Sequence, residues 1–128
     1  MNFQESIIYF ENKYNKKINH FNNYEWIEIS KFKYLTEEFM EKYQNEIVWG
    51  CISEFQKLSE DFIEKYQNKI DWYFVSKCQY LSGEFINKHK KRMDFYYMSK
   101  QNKINYLKYQ AKHSIISNQK YLKELLKL

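Results

Sequence analysis

Few side chains in this 128-residue chain are of the types that carry out covalent or metal chemistry. The histidines, His20, His89 and His113, lie far apart and lack a metal-ligand spacing such as His-Glu-x-x-His. Cys51 and Cys78 are the only cysteines, and neither has a companion at the Cys-x-x-Cys spacing. We therefore predict no catalytic residue, no metal site and no cofactor, and we expect that the protein is not an enzyme.

Serine is the remaining candidate nucleophile, because it recurs at a fixed spacing. Ser30, Ser53, Ser76 and Ser99 stand 23 residues apart. A nucleophile needs a unique position and a general base beside it, and the sequence marks neither. We expect these hydroxyls to form hydrogen bonds within a helix or between repeats.

Anion binding is the second kind of chemistry that the residues offer. Residues 88–92 read Lys-His-Lys-Lys-Arg, the densest basic run in the chain. Residues 65–128 carry 14 basic and 4 acidic residues, and residues 1–64 carry 7 and 12, which gives net charges of +10 and −5. This asymmetry favours an anionic partner, although a solvated helix end also explains the basic run. The residues predicted to bind an anion or a partner are Lys88, Lys90, Lys91, Arg92, Lys100 and Lys103.

Aromatic residues make up 20% of the chain and could stack on nucleobases. Tyr96, Tyr97, Tyr106 and Tyr109 lie near the basic run and are the better candidates for such stacking. The tryptophans recur in register along the chain, and we interpret them as core residues instead.

A 23-residue repeat supplies the elements that must position these side chains. Large apolar residues recur at this period from Trp26 onward. A fixed period in this range is typical of repeat architectures. The residues predicted to form the structural core are Trp26, Trp49, Trp72, Phe95, Leu35, Leu58, Leu81, Phe39, Phe62 and Phe85.

Each repeat encodes two short helices. Ser59 is a favoured N-cap, the acids after it suit the positive end of a helix dipole, and the apolar residues that follow have helical spacing. These features predict a helix at 60–67, and Asp71 precedes a second helix at 72–80. Helices this short depend on packing for stability. We therefore predict an all-α fold, an α-solenoid of stacked short helix pairs.

The repeat also predicts how the chain is organised. We expect a single helical-repeat domain, residues 1–128, that begins with a partial repeat and an insert. Residues 20–25 form the insert, which we interpret as a loop or a helix extension, and its face as a candidate binding face. The last helix caps the final repeat, with a partner-binding or membrane-attracted amphipathic helix as the alternative. The segments are 1–25 (partial repeat and insert), 26–48, 49–71 and 72–94 (repeats), 95–117 (degenerate repeat) and 118–128 (capping helix).

Membrane insertion and secretion are not indicated by the sequence. No apolar run approaches the roughly 20 residues of a membrane-spanning helix. The first residues lack the basic and apolar regions of a signal peptide. We expect a soluble, cytoplasmic protein without a membrane partner. In that compartment Cys51 and Cys78 are expected to be reduced core thiols, with a bridge between repeats as the alternative.

Residues 52–72 read Ile-Ser-Glu-Phe-Gln-Lys-Leu-Ser-Glu-Asp-Phe-Ile-Glu-Lys-Tyr-Gln-Asn-Lys-Ile-Asp-Trp. This unit resembles a short Trp/Leu-Ser/Phe-Ile helical repeat of uncharacterised proteins from large DNA viruses and bacteriophages. The resemblance runs from Trp26 to Asn105, and repeat four departs from the pattern after that. It implies an all-helical repeat protein of viral origin, located in the cytoplasm of a host cell, and it supplies no catalytic residues.

Three functions are consistent with these observations. The first is a non-enzymatic protein-binding module for a host protein or ribonucleoprotein, such as an inhibitor of a CRISPR-type defence effector, as the resemblance and small size suggest. The alternative is a nucleic-acid-binding protein that uses the basic C-terminal half. The third is self-association, in which the acidic end of one molecule meets the basic end of another.

Overall fold

The computed structural model describes residues 1–113 and 118–128, and over these residues the chain forms helices and no strand. The predicted all-α class is therefore confirmed. The chain divides into two compact units, unit 1 at Met1–Ile70 and unit 2 at Asp71–Leu128. Unit 1 contains α1 (Phe3–Tyr14), the 3₁₀ turn η1 (Ile18–His20), α2 (Asn23–Ser30), α3 (Glu37–Lys42), α4 (Trp49–Phe55) and α5 (Glu60–Lys65). Unit 2 contains α6 (Trp72–Cys78), α7 (Gly83–His89), η2 (Lys90–Arg92), η3 (Phe95–Tyr97), α8 (Lys100–His113) and α9 (Asn118–Leu126).

Short polar side chains start the helices of the repeats. Ser59 and Ser82 each accept a hydrogen bond at 3.1 Å from the backbone N–H three residues later, at the start of α5 and α7. Asp71 accepts one from the N–H two residues later, at 3.0 Å, before α6. These caps satisfy first-turn amides that have no intrahelical partner. Helices α5 and α6 each end two residues before the predicted boundary.

The insert at residues 20–25 becomes the start of a helix. Helix α2 begins at Asn23, three residues before Trp26. Asn22 and Glu25 exchange two hydrogen bonds, 2.9 and 3.0 Å long, that form a capping box. Residues 23–25 of the insert therefore extend helix α2, whereas Phe21 and Asn22 before them have extended backbone, so each interpretation describes part of the insert.

Three aromatic rings pack together within each full repeat, and we call each set a ring triad. A ring triad consists of the Trp of the first helix with the Phe and the Tyr or His that lie 13 and 17 residues later. Its ring centroids are 4.7–6.5 Å apart, which is the range of favourable aromatic contacts. The ring triads are Trp26, Phe39 and Tyr43, then Trp49, Phe62 and Tyr66 in unit 1, and Trp72, Phe85 and His89 in unit 2.

The repeated Leu and Phe columns form the core of both units, and the Trp column is buried only in part. Trp26 and the six Leu and Phe residues of the columns are at most 8% exposed, and Trp49 and Trp72 are half-buried. Phe95 is 39% exposed, which corrects the prediction that it belongs to the core. Its ring triad is missing, because Lys108 and Lys112 stand where Phe and Tyr would pack. The remaining buried residues of these columns are Leu35, Leu58, Leu81, Phe39, Phe62 and Phe85.

Hydrogen bonds join successive repeats of unit 1. Ser30 donates to the carbonyl of Trp26 at 2.7 Å and accepts from the N–H of Val48 at 2.8 Å, so its hydroxyl has the structural role that the sequence predicts. The side-chain amide of Gln56 donates to the carbonyls of Ser30 and Phe32, at 3.0 and 2.6 Å. Gln56 is 2% exposed, so both of its hydrogen bonds are buried at the junction between the repeats.

Unit 2 departs from the pattern of two helices in the last repeat. Helix α8 runs unbroken through Ile104 and Asn105, where the earlier repeats change helix. Asn102 fixes this helix, because its side chain donates to the carbonyls of Ser76 and Gln79 (2.9 and 2.7 Å) and accepts from the N–H of Leu81 (2.9 Å). Asn102 is fully buried.

The last helix, α9, packs against α8. Leu122 and Leu126 of α9 are 49% and 88% exposed. The end of the predicted degenerate repeat, residues 114–117, lies outside the described residues. Cys51 and Cys78 are not joined by a disulfide bond; Cys51 is half-buried, and Cys78 is exposed rather than part of the core.

Candidate functional site

Aromatic rings of unit 2 gather at its surface, and we call this group the ring cluster. Tyr73 and Tyr97 have centroids 5.3 Å apart, and Tyr96 and Tyr97 are 5.0 Å apart. Phe95 is the first residue of the same 3₁₀ turn, and its ring centroid lies 6.0 Å from that of Tyr106. The members of the ring cluster are Tyr73, Phe95, Tyr96, Tyr97 and Tyr106.

The elements that carry the ring cluster explain its exposure. Turn η3 is a single 3₁₀ turn that begins at Asp94, whose carboxylate accepts a hydrogen bond from the N–H of Tyr96 at 2.9 Å. A turn this short cannot bury three consecutive aromatic residues, and Tyr96 is 78% exposed. Tyr73 comes from the exposed side of α6 and Tyr106 from the middle of α8.

Lysine side chains lie over two rings of the cluster. The ammonium nitrogen of Lys77 is 5.4 Å from the centroid of Tyr73. That of Lys103 is 5.4 Å from the centroid of Phe95. Both distances are within the roughly 6 Å range of cation–π contacts. Two positively charged ammonium groups therefore lie against the exposed rings of the ring cluster.

A cavity of about 240 Å³ opens beside Phe95. Ile86 and Met98 form its buried part, at 1% and 5% exposure. Lys90 brings a cation to its lining, and Lys103 lies over the ring of Phe95. We call it the Phe95 cavity, and the lining residues are Ile86, Lys90, Met93, Phe95, Met98 and Tyr106.

The predicted basic residues are spread over three elements of unit 2. Lys88 lies on α7, Lys90, Lys91 and Arg92 form η2, and Lys100 and Lys103 lie on α8. Of these, Lys90 and Lys103 reach the Phe95 cavity and its ring. Arg92 lies over Trp72, with its guanidinium 5.6 Å from the ring, so it packs on a ring triad.

Sequence reasoning selected some members of this site and missed others. Tyr96, Tyr97 and Tyr106 were stacking candidates and belong to the ring cluster, whereas the Tyr109 ring lies 4.3 Å from that of His113. Tyr73 and Lys77 were missed. The signal available for Tyr73 was its place directly after Trp72, a position held by Gly50 in the preceding repeat.

Unit 2 has a strongly positive charge. Residues 71–128 carry twelve basic and four acidic residues, for a net charge of +8, and residues 1–70 carry nine and twelve, for a net charge of −3. Clustered positive charge raises the local concentration of anionic ligands. The ring cluster and the Phe95 cavity therefore lie in the unit that attracts anions.

Within residues 1–113 and 118–128, no group of three or more His, Cys, Asp or Glu side chains could hold a metal ion. In this described part of the chain, no helix has both the length and the apolar character that a transmembrane helix requires. Comparison of the chain with models of protein families, with curated proteins and with solved structures finds no match.

Proposed function

We propose that the protein is a non-enzymatic binding protein that holds single-stranded nucleic acid on unit 2. The observation that carries this proposal is the ring cluster, which exposes aromatic faces beside Lys77, Lys90 and Lys103. Sequence-tolerant binding of single strands uses this combination, in which bases stack on aromatic side chains and cations follow the backbone.

Single strands fit the ring cluster better than duplexes do. The Tyr96 and Tyr97 rings are nearly perpendicular, at 88°, and project from one short turn. Rings in this arrangement can accept separate unstacked bases, whereas a duplex keeps its bases stacked inside the helix. The net charge of +8 on unit 2 supplies the phosphate attraction in either case.

Fluorescence anisotropy with labelled single- and double-stranded RNA and DNA of one sequence tests the proposal. We expect the single strands to bind more tightly and binding to weaken steeply with salt. Replacing Lys90, Lys91 and Arg92 together by Glu should abolish binding at moderate salt. The matched control makes the same charge change at exposed lysines of unit 1, in the variant Lys33→Glu, Lys42→Glu, Lys57→Glu. Absence of binding at low salt, or equal losses in the two variants, would refute the proposal.

We further propose that the repeats stack as the α-solenoid that the sequence predicts. Support comes from the junction hydrogen bonds, which join residues about one repeat apart in each unit: Gln56 to Ser30 in unit 1, and Asn102 to Gln79 in unit 2. Inserting one further copy of residues 49–71 should give a folded protein with proportionally more helix by circular dichroism. An unfolded or aggregated product would count against stacking.

A protein partner is the second candidate, and exposed apolar side chains of unit 1 favour it. Ile8 and Tyr34 are 58% and 62% exposed, and rings at 5.2 and 6.0 Å link Tyr9, Phe32 and Tyr34. The net negative charge of unit 1 disfavours nucleic acid there. With the resemblance to viral repeats, this surface suits a host protein or ribonucleoprotein, including a defence effector.

Recovery of a partner from host lysate, with and without nuclease, tests the second candidate. A protein that is retained after nuclease and lost with Tyr9→Ala, Tyr34→Ala would support a protein-binding surface on unit 1. Retention that depends only on the basic residues 90–92 would assign the interaction to unit 2 instead. Sedimentation at several protein and salt concentrations separates both from self-association, which should collapse in salt.

A further inference from the structure

The Phe95 cavity is lined by the one aromatic residue of the Trp column that has no ring triad in its own repeat. In the preceding repeat, Trp72 packs against Phe85 and His89. The corresponding partners of Phe95 are Lys108 and Lys112, and both are exposed. Phe95 has no ring triad, is 39% exposed and forms part of the cavity lining.

The size and lining of the Phe95 cavity suit one planar ring system. A volume of about 240 Å³ falls just below the roughly 300–1,000 Å³ of pockets for whole small molecules. Phe95 and Tyr106 offer aromatic surface, and Met93 and Met98 offer thioethers that adapt to a ring and contact its edge favourably. The cavity can thus hold a flat aromatic group but not a folded segment.

The positive charges of Lys90 and Lys103 favour an aromatic group that also bears a negative charge. Lys90 is part of the lining, and the ammonium nitrogen of Lys103 lies 5.4 Å from the Phe95 ring. An aromatic amino acid side chain is neutral, whereas a nucleotide joins a planar base to a phosphate. A nucleotide therefore matches the apolar wall and the two cations at the same time.

We propose that the Phe95 cavity receives one unstacked base of the bound single strand, with the adjacent phosphates near Lys90 and Lys103. The base leaves the stack of its neighbours and lies against Phe95, while the exposed tyrosines Tyr96 and Tyr97 remain available to the following bases. This inference rests on the proposed single-strand binding, and it names the one position of the strand that unit 2 holds most closely.

Short oligonucleotides with a single missing base test this inference on the full-length protein. We use strands of about five nucleotides and place one abasic site at each position in turn, which keeps every phosphate. We expect one position at which the loss of the base weakens binding about five- to 150-fold. A 2-aminopurine at that position should change its fluorescence on binding. Equal, small losses at all positions would overturn the proposal.

Protein variants assign the base to the cavity. Phe95→Ala should remove both the position dependence and the 2-aminopurine signal, with the salt dependence unchanged. Phe95 is already 39% exposed, and circular dichroism checks that the variant is folded. The matched control is Tyr80→Ala, which removes a 73% exposed ring of unit 2 outside the ring cluster and should leave both readouts intact. Loss with Tyr80→Ala to the same extent would contradict the assignment.

The outcomes separate this inference from the proposed function. If wild-type protein binds no strand at low salt, both fail. If it binds strands with a steep salt dependence but is insensitive to the abasic sites and to Phe95→Ala, only the cavity assignment fails. Binding of an acidic peptide with an aromatic anchor that depends on Phe95, without binding of oligonucleotides, would identify the cavity as a peptide site and overturn both.

Discussion

Gly83 lies where α8 closely approaches the start of α7. A Cβ atom built there would lie 2.2 Å from the carbonyl oxygen of Asn105 and 2.5 Å from the Cβ of Tyr109. In unit 1 this position of the repeat holds Glu37 or Glu60. The close approach of α8 to the start of α7 thus explains why the acid is replaced by glycine in the third repeat.

Replacement of Gly83 by Ala should destabilise the protein by about 1–3 kcal/mol, because α7 and α8 must move apart. The measurement is the free energy of unfolding in urea. Gly50 provides the control, since a Cβ there meets no atom within 4 Å. Gly50 lies in α4, where Ala is favoured over Gly by up to about 1 kcal/mol, so Gly50→Ala should keep or raise stability. Equal losses in both variants would exclude the packing explanation.

The carboxyl of Glu25, at the start of α2, makes the stability of unit 1 depend on pH. Burial on its own would raise the pKa of this carboxyl, but the hydrogen bonds from Lys16 and from the N–H of Asn22, with the charge of Lys16, lower it overall. The Lys16 ammonium is 2.6 Å from the carboxylate. A carboxyl whose pKa is lower in the folded state adds stability above its unfolded pKa, and this stability is lost as pH falls through the folded pKa.

We expect Glu25→Gln to destabilise the protein at pH 7 and to matter much less at acid pH, below the ordinary glutamate value of 4.5. The difference in unfolding free energy between wild type and variant, measured from pH 7 to pH 3, gives the result. The exposed Glu38 of α3 is the control, and Glu38→Gln should show little pH-dependent difference. A difference for Glu25→Gln that does not change with pH would show that the lowered pKa is not the cause.

At the scale of elements, one buried amide determines how α8 meets the preceding repeat. The side chain of Asn102 makes three hydrogen bonds to the backbone of residues 76–81. Asn102→Leu keeps a similar volume and leaves two carbonyls and one N–H without these bonds. We expect a loss of at least about 2 kcal/mol in unfolding free energy. Lys108→Ala, at an exposed position of the same helix, should change it by less than about 0.5 kcal/mol.

The helix pairs could be predicted because the N-cap residues and the 23-residue period indicate the same helix starts. Ser59 and Asp71 start helices as predicted, since a cap depends only on residues within one turn. The unbroken helix α8 was not predicted. Asn105 stands where Ser82 caps a helix, but its side-chain amide donates to the carbonyl of Leu81 at 2.8 Å instead. This bond joins residues 24 apart, and local reasoning cannot detect it.

The candidate site was predictable in its charge but not in its shape. The basic run identified Lys90, and the positive charge of the C-terminal half identified Lys103, yet the 23-residue spacing placed Phe95 in the core. A large residue that recurs every 23 positions is expected to be buried only when the residues that pack against it recur as well. The drift to Lys108 and Lys112 was visible in the sequence, and it indicates that Phe95 loses its ring triad and lies at the surface.

At the scale of the whole molecule, the two units differ in net charge by eleven, with −3 on residues 1–70 and +8 on residues 71–128. Single-strand affinity falls with salt by a logarithmic slope of about 0.7 for each phosphate neutralised. Replacing Lys90 and Lys103 by Gln should therefore reduce the slope by about 1.4. The same change at Lys33 and Lys57 of unit 1 should leave it unaltered. A slope that responds equally to both pairs would indicate binding by net charge alone.

Each ring triad lies wholly within one repeat, and this has a consequence for how such a gene can evolve. An in-frame duplication or deletion of 23 codons adds or removes a complete ring triad together with its caps. Because the junction bonds of each unit span about one repeat, a new copy also brings both halves of a junction. Chain length can therefore change in whole steps by recombination, while only the terminal copies must diverge. Lys108 and Lys112 in the fourth copy show that a copy can keep the period and still lack a ring triad.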